Sequence, residues 1–303
     1  MTEPLPSPPP AMRRSIAGRL LFWFLVIALI PCAILTAITA RIAASALERS
    51  VRDTLVQTAA GKAGELEAYA GERVRDGAAL ARGPTVIRAV REISAAATAA
   101  TDNSRTAIKA AGEGFNDYLT YVAKAFGYEQ LLLIDRSGQV LFSLDEAIPA
   151  GSSLTGGGLA SSELSIGFDR ARTLLQSDLS GFQRYGTGSR PLAFVTCPVY
   201  DEGRLTGVLA LGLGPQRIWQ VLSDFSGLGE TGEIVAGQLD GDAVLVTTPL
   251  RHAPDAAFTM RIPLGTSQAT AAQDAASGTR GYGPLTDYRG EEAVAAWCYL
   301  PSF

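Results

Sequence analysis

Residues 128–138 read YEQLLLIDRSG, an apolar run that ends in an Asp–Gly turn, and the predicted class of fold follows from this pattern. The four consecutive apolar residues at 131–134 predict a buried strand, and 139–143 predict the strand that returns beside it. Two more strands are predicted at 192–200 and 205–213, and a helix is predicted at 161–175. Strands joined by tight turns, with helices around them, predict an α/β (α+β) module with a central antiparallel sheet.

The same order of elements recurs about 100 residues later. The turn residues Asp135 and Asp240 are 105 positions apart, and Cys197 and Cys298 are 101 positions apart. A repeat of this length predicts two tandem copies of one module, because it is too long for a solenoid unit. The strands of the second copy are predicted at 233–238, 243–248 and 293–300.

The second copy stops at Phe303, before a counterpart of the strand at 205–213. We therefore expect a truncated chain, whose native form would finish this strand and re-enter the membrane.

Two helical stretches precede the first copy. Residues 42–81 predict a long helix with one apolar stripe: Leu47, Val51, Leu55, Ala59, Ala63, Leu66, Ala70 and Val74. Gly83-Pro84 ends it, a second helix is predicted through 108–126, and 95–104 is interpreted as a turn or a weak helix end. We expect these helices to pack one face on a sheet. The alanine-rich stripe leaves open an additional contact between two copies of the chain.

Residues 20–40 carry no charge and are long enough to span a bilayer as a helix. A retained anchor is favoured over a cleaved signal peptide, since signal-peptide cores are shorter. Cleavage at the A-x-A sequence 44–46 stays as the alternative. Arg13, Arg14 and Arg19 precede the span, so the positive-inside rule places the N-terminus in the cytoplasm and the remainder outside.

The composition excludes several function classes. A net charge of −4 leaves no basic excess for a dedicated nucleic-acid binder. One histidine and three cysteines exclude most zinc sites and most histidine-based catalysis. His252 is interpreted as an exposed loop residue with no serine placed by sequence to use it. We expect no enzyme activity, no cofactor and no metal.

Three further motifs are assigned structural roles. Gly227-x-Gly229-x-x-Gly232 matches the dinucleotide fingerprint by letter, but the predicted helix precedes it and the strand follows it, which reverses the required order. Asp135, Asp240 and Asp242 are expected to form turns rather than bind metal. Cys32 falls in the apolar span, and Cys197 and Cys298 are expected to be buried free thiols, far apart because they occupy equivalent strands of different modules.

Taken together, these residues resemble the double Cache family, the extracytoplasmic sensor domains of bacterial receptors. The likeness covers about residues 45–303 and rests on the order and spacing of 128–138, 177–180, 193–201, 207–210 and 227–233. The resemblance implies a long helix that carries two PAS-like modules, with a small ligand in the distal one. It also implies signalling through a second transmembrane helix to a kinase, cyclase or methyl-accepting domain. The Tyr, Arg, Trp and Asp set that binds amino acids in one branch is not recognisable here.

The boundaries that follow are a Pro-rich basic tail (1–19), a transmembrane helix (20–41), a helical stalk (42–129), module one (130–214, distal) and module two (215–303, next to the membrane). The resemblance places the ligand at a loop and strand of module one, where arginine can pair with a carboxylate, aspartate can hold an amine and aromatic rings can wall a cavity. The predicted ligand-binding residues are Asp178, Tyr185, Arg190, Phe194, Thr196 and Asp201. Weaker candidates in module two are Arg251, Tyr282 and Tyr288.

We therefore predict the ligand-sensing input domain of a transmembrane receptor in the bacterial inner membrane, with the sensor region periplasmic or extracellular. The resemblance favours a histidine kinase as its output. Chemoreceptor or cyclase input, and a membrane-tethered binding protein without an output domain, stay as alternatives. The expected partners are a small organic acid or amine, the lipid bilayer and a second copy through the stalk helix, with no nucleic acid.

Overall fold

The computed structural model describes residues 16–100, 104–186 and 190–302, which fall into two compact units, 1–54 and 55–303. The described part of the first unit is the beginning of helix α1 (Ile16–Ala81). It contains the uncharged stretch, which is helical as predicted and includes Pro31. By length and composition α1 can cross a membrane, with a mean hydropathy of 2.6 over its most apolar window and none of that window buried. Of the predicted Pro-rich tail, residues 1–15 lie outside the described residues, whereas 16–19 belong to the first turn of α1.

The second unit contains the later part of α1 and all the other elements. The helices are α2 (Pro84–Ala99), α3 (Ser104–Glu113), α4 (Asn116–Ala125), α5 (Glu163–Thr173), α6 (Gln216–Leu222) and α7 (Thr270–Ala276). The first six strands are β1 (Gln130–Asp135), β2 (Val140–Ser143), β3 (Asp178–Leu179), β4 (Gln183–Arg184), β5 (Pro191–Asp201) and β6 (Arg204–Leu213). The others are β7 (Gly237–Asp240), β8 (Ala243–Val246), β9 (Arg261–Pro263), β10 (Gly281–Thr286) and β11 (Glu292–Trp297).

Module one is built on one antiparallel sheet with the strand order β2-β1-β6-β5-β3, and β4 also pairs with β5. The predicted hairpin is confirmed as β1 and β2, with Leu133 opposite Phe142. Because side chains alternate along a strand, the sheet has two apolar faces. Leu131 and Val195 pack with the helices α1 to α4, whereas Leu132 and Phe194 pack with α5. This double coverage explains the uninterrupted apolar run of β1.

Helix α1 lies very close to β5 at Gly77. A Cβ atom there would be 2.8 Å from both Cys197 Sγ and Val195 Cγ1, so this approach needs a residue without a side chain. Only part of the predicted apolar stripe is buried: Leu66 and Ala70 lie in the core, whereas Leu47 and Val51 are exposed.

Module two has three-stranded β7-β8-β9 and two-stranded β10-β11 sheets among the described residues. Helix α7 packs against β7 and β8 as well as β10 and β11. A small core lies under it: Val244, Val246, Leu250, Ala256, Ile262 and Ala269.

The structure differs from the predicted secondary structure at several places. A whole helix, α2, was not predicted, although Val86, Ala89, Val90 and Ile93 bury one helical face and Pro84 occupies its first turn. It extends to Ala99 into the expected turn at 95–104, of which 101–103 lie outside the described residues. The helix predicted through 108–126 is two helices, because the chain turns at Gly114 and Phe115. Strands β9 and β10 were also missed.

The strand predicted over 233–238 begins only at Gly237. Before it, one backbone bond, from the N–H of Thr247 to the carbonyl oxygen of Ala236, stands beside two bonds to side chains: the hydroxyl oxygen of Thr248 accepts from the N–H of Ala236, and the Glu233 carboxylate accepts from the N–H of Arg251. The last predicted strand, 293–300, is β11 and ends at Trp297.

Candidate functional site

The α5-facing side of the module-one sheet brings four of the six predicted residues together. Phe194 and Thr196 point to this side from β5, and Asp178 lies opposite Thr196 on the neighbouring strand β3. Tyr185 packs edge-on against Phe194, with ring centroids 5.2 Å apart and an interplanar angle of 84°. These residues define the candidate site.

Tyr185 closes the site over the first turn of α5. It is 2% exposed, and its hydroxyl oxygen accepts from the backbone N–H of Leu164 at 3.0 Å. This N–H is one of those that a helix leaves unsatisfied at its N-terminus, so the tyrosine fixes where α5 begins. Ser162 caps the same helix by accepting from the N–H of Ser165 at 3.1 Å. Burial raises the pKa of the Tyr185 hydroxyl, which therefore stays protonated near neutral pH.

Thr196 and Asp178 tie the sheet to α5. The Thr196 hydroxyl, fully buried, donates to the carbonyl oxygen of Gly167 at 3.1 Å. A Cβ atom at Gly167 would be 3.1 Å from the Thr196 side chain, so α5 lies as close to the strand as it can. Arg170 Nη1 donates to Asp178 Oδ2 at 2.8 Å, in a half-exposed ion pair at the rim of the site.

Arg190 and Asp201 do not join this cluster. Arg190 comes directly before β5 and Asp201 ends it. A strand of this length rises about 3.3 Å per residue, which separates the two side chains by about 35 Å. Arg190 pairs with Glu129 at 3.3 Å and is largely exposed, whereas Asp201 accepts from Arg91 of α2, on the helical side of the sheet. One small ligand cannot contact both.

Three of the four side chains of the candidate site, Tyr185, Phe194 and Thr196, are buried. Two depressions lie in module two. One has a volume of about 290 Å³ and is lined by Gln216, Trp219, Gln220, Leu222, Ser223, Thr248 and Pro249. The other, wider and about 430 Å³, is lined by 253–256, Thr259 and Met260. None of the nine predicted ligand residues lines either one.

Two of the weaker candidates in module two meet at Glu233. Tyr288 donates its O–H to Glu233 Oε1 at 2.8 Å, and the N–H of Arg251 donates to Glu233 Oε2 at 2.9 Å. The Arg251 guanidinium lies 4.5 Å from the Phe225 ring centroid and donates to the carbonyl oxygen of Gly229. These contacts hold the glycine loop 227–232 in place. Tyr282 lies on β10, opposite Ala296.

The glycine loop has the reversed context that the sequence predicts, since α6 precedes it and β7 follows it. Gly227 and Gly229 have φ values of +83° and +70°, which identifies them as turn residues. His252 is exposed, with Nε2 3.3 Å from the Thr231 carbonyl oxygen.

The aspartates and cysteines keep mainly structural roles. Asp135 Oδ1 accepts from the backbone N–H groups of Ser137 and Gln139, as expected of a turn residue. Asp240 pairs with Arg261, and the backbone carbonyl of Asp242 accepts from the N–H of Leu264. The free thiols are confirmed, with one correction: Cys197 is buried, but Cys298 is only half-buried, at the Ala59 carbonyl of α1.

Two residues of the candidate site escaped the sequence reasoning, Gly167 and Arg170. A glycine inside a predicted helix is a sign of a close approach, and this sign was available. Nothing in the sequence pairs Arg170 with Asp178, because the contact depends on how α5 lies across β3.

No family model and no curated protein matches this chain. Among solved structures, it is similar to the sensory domain of the Campylobacter jejuni chemoreceptor Tlp3 with isoleucine bound, at 10% identity and a TM-score of 0.54 over 85% of this chain and 91% of that one. The ligand-binding domain of the Pseudomonas aeruginosa chemoreceptor PctB in complex with L-Gln matches at 13% identity and a TM-score of 0.48, covering 83% of this chain and 85% of that one. The sensor domain of the V. cholerae histidine kinase DctB matches at 16% identity and a TM-score of 0.43, covering 66% of each chain. The Tlp3 match confirms the resemblance to Cache-type sensor domains at the level of the fold.

Proposed function

We propose that this chain is the ligand-sensing input region of a transmembrane receptor, anchored by the apolar part of α1, with the candidate site of module one as its ligand site. The observation that carries the proposal is the Cache-type sensor fold. One face of its main sheet packs on helices α1 to α4, and the other face, under α5, is the proposed binding surface. The resemblance favours a histidine kinase as the output, with a chemoreceptor or a cyclase as alternatives.

The chemistry of the proposed site suits a small molecule with an apolar body and a cationic group. Tyr185 and Phe194 offer aromatic surface, and the Thr196 hydroxyl and the Asp178 carboxylate are the polar groups beside them. An amine would replace Arg170 as the partner of Asp178. The isoleucine in the Tlp3 structure is one such molecule, which makes amino acids part of the ligand class to be tested.

Binding would have to open the site, because Phe194 and Thr196 are fully buried under α5. A ligand between α5 and the sheet separates the Thr196 hydroxyl from the Gly167 carbonyl and displaces the segment that contains Asp178 and Tyr185. The opposite face of β5 contacts α1 at Gly77, so the sheet can pass a shift to the stalk. The ligand acts by binding one of these arrangements more tightly than the other.

The partners follow from the same proposal. The exposed large side chains of α1, such as Phe22 and Trp23, suit contact with lipid, with the sensor unit outside the cytoplasm. A second copy would contact the part of the stalk stripe that the chain does not bury itself, Leu47 and Val51. Disulfide cross-linking of Leu47→Cys in membranes is expected to give a covalent dimer.

A thermal-shift screen against amino acids, organic acids and amines tests the ligand site. A binder present at 100 times its Kd stabilises the protein by about 2.7 kcal/mol, which raises the midpoint measurably. Asp178→Asn is expected to abolish the shift given by amines and amino acids. Asp169→Asn is the matched control, because Asp169 also pairs with an arginine of α5, Arg172. If none of the compounds shifts the midpoint, or if both variants respond like the wild type, the proposed site is wrong.

A further inference from the structure

Gln238 of β7 binds the backbone of module one as a strand would. Its side-chain Oε1 accepts from the N–H of Phe182 at 2.9 Å, and its Nε2 donates to the carbonyl oxygen of Phe182 at 2.8 Å. Both backbone groups of one residue are thus satisfied by one amide, which places a donor and an acceptor side by side. Gln238 alternates with exposed Gly237 and Leu239, so its side chain is directed inward by the strand itself.

An aromatic cluster surrounds this contact. The Phe182 ring lies 5.7 Å from the Phe258 ring, and Phe258 lies 6.4 Å from Trp219 of α6. Trp219 donates its indole N–H to the carbonyl oxygen of Thr247 at 2.8 Å. Phe258 has a φ of +58°, a conformation that costs a non-glycine residue free energy and persists only where surrounding contacts hold it.

The segment that Gln238 holds, residues 178–185, is also a wall of the candidate site. It begins at Asp178 and ends at Tyr185. Between them, Ser180 makes two hydrogen bonds to Phe194, both 2.9 Å long. The Ser180 N–H donates to the Phe194 carbonyl oxygen, and the Ser180 hydroxyl oxygen accepts from the Phe194 N–H. Gln183 accepts from the N–H of Glu163 at the start of α5, at 2.7 Å. One short segment therefore contacts strand β5, helix α5 and module two.

We infer that Gln238 is a positioning residue that couples the two modules. A movement of segment 178–185 in the candidate site then changes how strongly the amides of β7 and β8 in module two are protected from hydrogen exchange. The inference rests on the proposed function, because it takes this segment as part of the ligand site. The link is direct: Phe182 is three residues from Tyr185 and four from Asp178. Without the amide, both polar groups of Phe182 lose these partners and the segment moves independently of β7.

Hydrogen exchange of the full chain in detergent micelles tests the coupling without a ligand. Tyr185→Phe removes the acceptor of the Leu164 N–H and loosens the site from within. In the wild-type background this substitution is expected to raise amide exchange in β7 and β8 at least about threefold. In the Gln238→Ala background the same substitution is expected to leave β7 and β8 unchanged, while the Phe182 amide itself exchanges about tenfold faster.

Gln220→Ala is the matched control, because Gln220 lies on the exposed side of α6 and contacts Arg217 at 3.5 Å. It is expected to respond to Tyr185→Phe like the wild type. If Gln238→Ala unfolds module two, Gln238→Glu replaces it, since glutamate keeps an acceptor for the Phe182 N–H but offers its carbonyl no donor. Gly167→Ala provides a second perturbation of the site, through Thr196 rather than through the segment.

The inference is overturned if β7 and β8 do not respond to either site perturbation in the wild type, or if they respond equally when Gln238 is replaced. A purely structural role for Gln238 would change stability but not the response to a second substitution. Because no ligand is used, this result is independent of the ligand screen, whose failure would count against the proposed function alone.

Discussion

Replacing Gly77 by alanine tests the packing of the stalk on the sheet. The new methyl carbon would lie 2.8 Å from Cys197 Sγ and Val195 Cγ1 and 3.4 Å from Leu211 Cδ1. All three residues are fully buried in strands β5 and β6, so the helix or the sheet must shift. Overpacking of this kind costs about 1–3 kcal/mol, and the better helix propensity of alanine returns about 1 kcal/mol. The two effects leave a net destabilisation of about 0–2 kcal/mol, or about 1 kcal/mol in the middle of the range.

Gly64→Ala is the matched control on the same helix. Gly64 is exposed, and a Cβ atom there would meet nothing within 4 Å. Only the propensity gain remains, so this variant is expected to be about 1 kcal/mol more stable than the wild type. The same substitution, made at two positions of one helix, is thus expected to change the free energy of unfolding in opposite directions.

Urea and thermal unfolding of the full chain in detergent, followed by circular dichroism, measure both effects. For a unit of this size the Gly77→Ala midpoint is expected to fall by roughly 2–4 °C for a net loss of about 1 kcal/mol. Val195→Ala makes room for the methyl group, so it is expected to cost less stability in the Gly77→Ala background than in the wild type. If Gly77→Ala gains as much stability as Gly64→Ala, α1 does not lie over β5 at this distance and the route from the site to the stalk loses its support.

Two further predictions concern titratable groups. Burial raises the pKa of the Cys197 thiol to about 11, so at pH 8 the native protein is expected to be alkylated by iodoacetamide at half-buried Cys298 well before Cys197, and at both in urea. Equal labelling rates by peptide mass spectrometry would refute this. Hydrogen bonds from Ser226 and Lys62 lower the pKa of Asp224 to about 2. Its stabilising contribution is therefore complete above about pH 4 and is lost as the pH falls towards about 2. Asp224→Asn is expected to make the melting temperature less dependent on pH between about pH 2 and 4. If the pH dependence is the same in this variant and in the wild type, the contact with Ser226 and Lys62 does not form.

Local patterns were enough to predict most elements of module one. The hairpin at β1 and β2, the long strands β5 and β6 and the helix α5 were all found where the apolar spacing placed them. Each of these elements contains its own signal, an apolar run or a turn residue such as Asp135. The missed helix α2 also contains a local signal, since Pro84 lies in its first turn and its apolar residues share one face. The misplaced start of β7 is different, because the backbone there bonds to the Thr248 side chain, twelve residues from Ala236.

The candidate site shows the same division. Sequence and resemblance selected Phe194 and Thr196, and strand alternation alone puts both on one face of β5. They also selected Arg190 and Asp201, which the length of that strand separates. The packing of α5 brings in Gly167 and Arg170, which are close to the site only after the helix has crossed the sheet.

The apolar span, the helical stalk and the repeated hairpin follow from the sequence alone, because they depend on composition and on neighbours a few residues apart. Which face of the sheet meets α1, which residues share the candidate site and how Gln238 reaches Phe182 depend on the tertiary packing. Those contacts join residues up to about 120 positions apart, such as Gly77 and Cys197, and they form because two faces of one sheet must both be covered. Local periodicity shows that a face is apolar, but not what covers it.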